Sequence, residues 1–269
     1  MNDNKPDNKP DSEAEEKDPQ FATTLARGID ILLSYRVGES LLGNREFVQR
    51  TGLSKTTVAR LTHTLTCLGY LRHDAKLEKY RLGPAVLSMG YPLLANMQIR
   101  QIARPLMREM SVQTGGAVSL GIRDRTHMIY VETSRSTDRL VMTPDIGAPI
   151  PILTTAMGRA WLCRAPADER ESVLNQIRVK DPEHYQRFYQ GAMQAMRSYE
   201  QRHYCANRGE WSSDVYGFAV PLSRRLDSNL FVFNCGIPAV NGPYAAIERE
   251  VAPKLVSLVR SIEVMLGFT

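Results

Sequence analysis

The sequence predicts an α+β protein in which a winged helix-turn-helix leads, through a helical linker, into a second domain of short strands and helices. Three observations predict it. A helix, glycine turn and helix run over residues 44–68, a basic alternating hairpin follows at once, and near Gly115-Gly116 the periodicity changes from helical to alternating. With 269 residues the chain has room for two modest domains rather than one large core.

Residues 1–20 carry seven acids and three lysines around a tandem Asp-Asn-Lys-Pro element, with almost no apolar side chain. Such a segment buries too little apolar surface to offset its ordering entropy, so a disordered acidic tail is expected. Residues 21–83 reverse the balance, with ten Lys/Arg against five Asp/Glu, and point to a polyanion partner.

Order is expected from about Thr23, where Leu25, Ile29, Leu32 and Leu33 fall at helical spacing and Gly38 provides a stop. Asn44 is placed to cap a short helix that buries Phe47 and Val48. Gly52 frees the backbone for a tight turn, Leu53 points back into the core, and Ser54 is a good cap for the next helix. There Val58, Leu61, Leu65 and Leu68 form one apolar stripe, opposite Lys55, Thr56, Thr57, Arg60, His63 and Thr64. A second helix that offers Lys, Thr and Arg near its N-terminus suits entry into a DNA major groove. Ser54, Lys55, Thr56, Thr57, Arg60 and His63 are therefore candidate DNA contacts. Residues 70–73 and 79–82 alternate like two antiparallel strands around 74–78, in the position of a wing, and Lys76 and Lys79 are placed to meet phosphates.

Residues 84–98 read as a linker helix (Val86, Leu87, Met89, Leu93, Leu94) interrupted by Gly90 and Pro92. A helix over 99–114 follows, with Ile102, Leu106 and Met110 on one side and Pro105 in its early turns. The domain over 99–269 then shows strands at 118–122, 128–133 and 140–143, and helices at 155–164, 167–178 and 183–204. Strands at 215–222 and 230–237 and a closing helix over 244–266 complete a sheet backed by helices, an arrangement suited to sensing.

Several function classes lack their signatures. No apolar run approaches the roughly 18 residues of a membrane span, and the N-terminus lacks the apolar stretch of a signal peptide, so a cytoplasmic protein is expected. Cys67, Cys163, Cys205 and Cys235 show no Cys-x-x-Cys and no spacing that pairs them, as expected for reduced thiols. There is no G-x-S-x-G elbow and no phosphate-cradling glycine loop, and none of the five histidines falls in H-E-x-x-H. No enzyme, metal or cofactor is expected. Glu132, near Arg135 and Asp138, reads as part of a solvated turn rather than as an acid/base pair.

Five stretches, taken in order, resemble the IclR-type bacterial transcription regulators. They are Leu25-Ala-Arg-Gly-Ile-Asp-Ile-Leu, Arg50-Thr-Gly-Leu-Ser-Lys-Thr-Thr-Val-Ala-Arg-Leu, Tyr80-Arg-Leu-Gly, Ala156-Met-Gly-Arg-Ala and Phe218-Ala-Val-Pro-Leu. The resemblance covers roughly residues 23–266. It implies a winged helix-turn-helix that reads a partly palindromic double-stranded DNA operator. It further implies a GAF-like domain that binds a small effector, and a homodimer or homotetramer.

By position, the resemblance puts Ala156, Met157, Asn207, Gly217, Asn234 and Gly236 around the effector pocket. Asn207 stands where a carboxylate is frequent, Gly217 where Cys is frequent, and Asn234 and Gly236 where serines are common. This neutral, roomier set implies a moderately apolar ligand with one carboxylate, such as an aromatic or alicyclic acid. Its charge would meet backbone N–H groups at the helix starting near Thr155, with Arg159 adding charge. The implied function is regulation of a catabolic operon. The alternative is a DNA-binding regulator whose second domain only oligomerises.

Overall fold

In the computed structural model, which describes residues 19–136 and 144–268, the chain divides in sequence into two units between Asn96 and Met97. The first unit holds helices α1 (Thr23–Leu33), α2 (Asn44–Thr51) and α3 (Lys55–Cys67), the strands β1 (Leu71–Asp74) and β2 (Lys79–Leu82), and helix α4 (Ala85–Asn96).

Local chemistry sets the boundaries in this unit. The Glu46 carboxylate accepts the Gly43 N–H at 3.2 Å, so Gly43 is the cap of α2 and Asn44, expected there, is its first helical residue. Gly52 ends α2 with φ 72°, a left-handed conformation that glycine adopts without steric cost. The chain re-enters a helix at Ser54, whose Oγ accepts the Thr57 N–H at 3.2 Å. Ile31, Leu42, Phe47, Val58, Leu61, Leu65 and Leu71 close the core, and Tyr35 meets Phe47 edge-on at 5.8 Å.

Three apolar positions of α1 turn outward. Its Gly28 lies against Leu61, so Gly28 and Ile31 form the buried side and Leu25, Ile29 and Leu33 face solvent. Leu68, expected in the buried stripe, is 61% exposed, because α3 ends at Cys67 and the chain turns there toward β1. Thr62 is buried on α3 instead, its hydroxyl donating to the Val58 carbonyl at 2.9 Å. The interruption expected in α4 is absent: the helix runs through Gly90 and Pro92. None of its residues is buried, so the carbonyl that proline leaves free is not forced into an apolar core.

The second unit comprises α5 (Gln98–Thr114), β3 (Ala117–Asp124), β4 (His127–Arg135), β5 (Pro149–Pro151), α6 (Ala156–Arg164), α7 (Ala167–Lys180), α8 (Pro182–Arg202), β6 (Cys205–Asn207), β7 (Val215–Pro221), β8 (Val232–Pro238) and α9 (Tyr244–Met265). Its strands form one antiparallel sheet of six, ordered β5-β4-β3-β8-β7-β6. The strand expected over 140–143 lies outside the described residues, as does most of the acidic segment 1–20. Strands β5 and β6, which the sequence reading missed, are three residues each, too short to register as alternation.

Alternation along the strands separates two packed layers. Thr114 of α5 reaches the Cys235 side chain on one face, while Gly121 turns to Met157 of α6 on the other. Gly121 permits this approach, since a Cβ there would collide with the Met157 sulfur. Helices α7 and α8 pack behind α6 around Trp161, Leu162 and Leu174. Glu132 departs from the solvated turn expected of it. It is buried on β4, its Oε2 2.7 Å from Arg104 and 3.1 Å from Arg100 of α5, so it ties that helix to the sheet. Its expected neighbour Asp138 lies outside the described residues. No helix among the described residues is long and apolar enough to cross a membrane.

Candidate functional site

Two regions hold the residues singled out by the sequence. On α3, Lys55, Thr56, Arg60 and His63 are exposed and Thr57 is half-buried. The Ser54 Oγ lies 3.0 Å from the Thr56 hydroxyl and 2.9 Å from that of Thr57, so these three hydroxyls are bound up with the cap. Lys55 and Arg60 form no ion pair among the described residues and project their charges freely.

Most acids of this unit are already matched. Glu39 takes Arg50 through two contacts of 2.6 and 2.8 Å, and the Arg50 hydrogen bond holds its carboxyl below the ordinary value. Asp74 accepts the Lys76 and Leu77 N–H groups and meets Arg81 at 2.8 Å; these contacts, led by the Leu77 N–H, likewise lower its carboxyl. Lys79 lies 3.2 Å from Glu46, the carboxylate that caps α2, so it fastens the wing to that helix. The surplus positive charge therefore resides on Arg27, Arg36, Arg45, Lys55, Arg60, Arg72 and Lys76, all exposed. Arg45 and Arg72 were missed from sequence, although the alternation of the first wing strand already turned Arg72 outward.

This difference predicts unequal effects in the wing. Lys76→Ala is expected to flatten the dependence of log K on log salt by about one unit, through one lost phosphate contact. Lys79→Ala is expected to flatten it less, since Glu46 already offsets that charge. Titrations of a non-specific duplex at several salt concentrations check both slopes.

The second region is a cavity of about 80 Å³ between the sheet and the start of α6. Its floor follows from strand register. Asn207, Gly217, Gly236 and Ala117 stand side by side across β6, β7, β8 and β3, and their small side chains hollow the sheet. Asn234 and Ser119 neighbour each other in an adjacent row on the same face. Of the six residues expected around a pocket, Ala156, Asn207, Gly217, Asn234 and Gly236 line the cavity, joined by Tyr130, Ile150 and Trp211. Met157 does not line it, because its side chain is spent in the core against Gly121.

Among the described residues, no charged side chain lines the cavity. Arg159, expected to add charge there, is buried elsewhere. It donates to the carbonyls of Leu153 at 2.9 Å and Ala206 at 3.1 Å and pairs with Glu210 at 2.9 Å. Burial pushes the Glu210 carboxyl up, but Arg159 and the Arg208 N–H outweigh it and hold the group below its ordinary value. Burial also raises the Tyr130 phenol, which stays neutral. The Asn234 amide has no hydrogen-bond partner among the described residues. At the head of α6, Thr155 accepts the Gly158 N–H at 3.1 Å, leaving the Ala156 and Met157 N–H groups without an intrahelical acceptor. The positive end of the helix dipole thus faces a neutral, partly apolar space.

Asn207 has both ends engaged: its Nδ2 donates to the Thr154 carbonyl and its Oδ1 accepts the Gly209 N–H at 2.9 Å. Asn207→Asp would set a carboxylate oxygen against that carbonyl. It is expected to destabilise the fold by roughly 1–3 kcal/mol, seen as a lower midpoint in chemical denaturation.

Comparison with known proteins matches both regions. The family model described as "Bacterial transcriptional regulator IclR C-terminal" matches residues 92–233, and the "IclR helix-turn-helix domain" matches residues 24–75. The HTH-type transcriptional regulator TsaQ1/TsaQ2 of Comamonas testosteroni is 33% identical over 242 residues, covering 89% of this chain and 87% of its own. The crystal structure of an IclR family transcriptional regulator from Brucella abortus superposes with a TM-score of 0.82 at 39% identity, over 93% of this chain and 95% of that one. An IclR homologue from Microbacterium hydrocarbonoxydans, crystallised with 4-hydroxybenzoate, shares the fold with a TM-score of 0.64 at 20% identity, over 88% of this chain and 99% of its own.

Proposed function

The chain belongs to the IclR family of bacterial transcription regulators, a DNA-binding family, and from that premise we propose that it controls a catabolic operon in response to a small organic acid. The observation that carries the effector reading is the cavity. Neutral side chains, the Asn234 amide, which has no hydrogen-bond partner among the described residues, and the free N–H of Ala156 at the head of α6 border it, while Tyr130, Ile150 and Trp211 supply apolar wall. That chemistry suits one carboxylate attached to an aromatic or alicyclic ring. Ala156, Asn207, Gly217, Asn234 and Gly236 are assigned to the effector. Ser54, Lys55, Thr56, Thr57, Arg60, His63 and Lys76 are assigned to double-stranded operator DNA, with Lys79 acting mainly through the wing. Met157 is assigned to the core rather than to the effector. No cofactor or metal enters the reading, and the cytoplasm is its place of action.

Thermal melting with 4-hydroxybenzoate, cyclohexanecarboxylate and glyoxylate tests the effector reading. A ring acid at about 100 times its Kd is expected to raise Tm by about 5 °C, with glyoxylate giving no comparable shift. No shift with any of the three would favour a domain that only oligomerises.

Assembly into a homodimer or homotetramer is also proposed. Helix α4 has no buried residue and exposes Leu87 at 78%, with Met89, Tyr91 and Leu93 also open, an apolar surface suited to a second copy. Sedimentation is expected to give two or four times the 30.3 kDa chain mass. The double substitution Leu87→Glu, Leu93→Glu is expected to shift the protein toward the smaller species.

A further inference from the structure

Of the four cysteines, two are brought together by the fold. Cys163 of α6 and Cys205 of β6 stand 42 residues apart in sequence, yet their sulfurs are 3.3 Å apart. A disulfide needs about 2.05 Å, so closure asks for only about 1.3 Å of approach. Cys163 is half-buried, its Sγ donating to the Arg159 carbonyl at 3.1 Å, whereas Cys205 is buried. The Cys205 thiol is pushed up by its hydrogen bond with Cys163 and by burial; Cys163, the less buried of the two, is the sulfur that a reagent meets first. Cys67 is exposed and Cys235 is buried beside Thr114, and neither has a second thiol within reach.

We propose that Cys163 and Cys205 form a reversible oxidation site that takes a hydroperoxide and closes to an intrachain disulfide, bolting β6 to α6 beside the cavity. The Cys163 thiol gives its proton to solvent, and the sulfur attacks the peroxide. The O–O bond breaks, a sulfenic acid forms at Cys163, and the other oxygen leaves as an alcohol, or as water when the oxidant is hydrogen peroxide. The Cys205 sulfur then attacks the sulfenic sulfur, the S–S bond forms, the S–O bond breaks, and hydroxide departs with the Cys205 proton as water. Two thiols lose two protons and two electrons, and the peroxide gains them.

The position gives the bond leverage. The elements it joins already meet through the Arg159 donation to the Ala206 carbonyl. Cys205 also lies two residues before Asn207, whose amide holds the Thr154 carbonyl at the cavity edge. Cross-linking removes freedom from the chain between the two cysteines in the unfolded state and stiffens this wall. The oxidation does not depend on what the cavity binds, and its test uses no effector.

The reduced full-length protein is treated with hydrogen peroxide, quenched in acid, alkylated and digested without reductant. A cross-linked Cys163–Cys205 peptide pair, two hydrogens lighter than the free thiols and released by dithiothreitol, is expected. Tm is expected to rise by about 5 °C and to fall back on reduction. Cys163→Ser is expected to remove both the cross-link and the rise, whereas Cys67→Ser is expected to keep both. Recovery of Cys163 and Cys205 as alkylated thiols after Cys67 has been oxidised overturns the site. A cross-link that leaves Tm unchanged overturns the bolt.

Discussion

Arg60→Ala is expected to weaken binding to the operator by about 5- to 150-fold, roughly 1–3 kcal/mol, while non-specific binding falls far less. Arg60 stands in the second turn of α3, exposed and without an ion-pair partner among the described residues, so its guanidinium suits a bidentate contact to a base edge. Arg50 and Arg81, by contrast, are held by Glu39 and Asp74. The helix is anchored by the Ser54 cap and by Val58, Leu61 and Leu65, none of which the substitution touches, so thermal stability is expected to stay unchanged. Gel-shift titrations compare an operator selected from random duplexes with a scrambled duplex. Undiminished affinity of the variant for the operator would remove α3 from the role of reading helix.

Gly217→Leu is expected to raise the Kd of a ring-containing acid more than about 100-fold, about 2.7 kcal/mol, and to abolish the regulatory response. A Cβ at Gly217 would lie 3.5 Å from the Ala156 Cβ and 3.7 Å from both the Asn207 Cβ and the Asn234 Oδ1, ordinary contacts that the backbone accepts. The remaining carbons then have only the cavity to enter, where they displace the ligand. Operator binding is expected to persist, since the reading helix belongs to the other unit. Calorimetry with 4-hydroxybenzoate reads the loss directly. A variant that still binds and responds in full would show that the ligand sits elsewhere.

The first unit was largely legible because its signals are local. Gly52, the Ser54 hydroxyl and the stripe of Val58, Leu61 and Leu65 each act within a turn or two of chain. The failures there came from packing partners. Spacing alone puts Leu25, Ile29 and Leu33 on an apolar face, but Gly28 meeting Leu61 decides which face is buried. Lys79 looked like a free wing cation until the fold set it beside Glu46, 33 residues earlier.

By itself the sequence determined the order of all but the shortest elements, the helix-turn-helix and wing, and the surplus of positive charge around them. Each of these depends on backbone propensity, on periodicity or on local charge, all carried by short stretches of chain. Only the tertiary structure decided where charges and thiols are spent. It buried Glu132 between Arg100 and Arg104, turned Arg159 from the cavity to Glu210, moved Met157 into the core and set Cys163 beside Cys205. Those outcomes depend on pairings between strands and helices far apart in sequence, and a pairing energy has no value until both partners have been brought within a few ångströms.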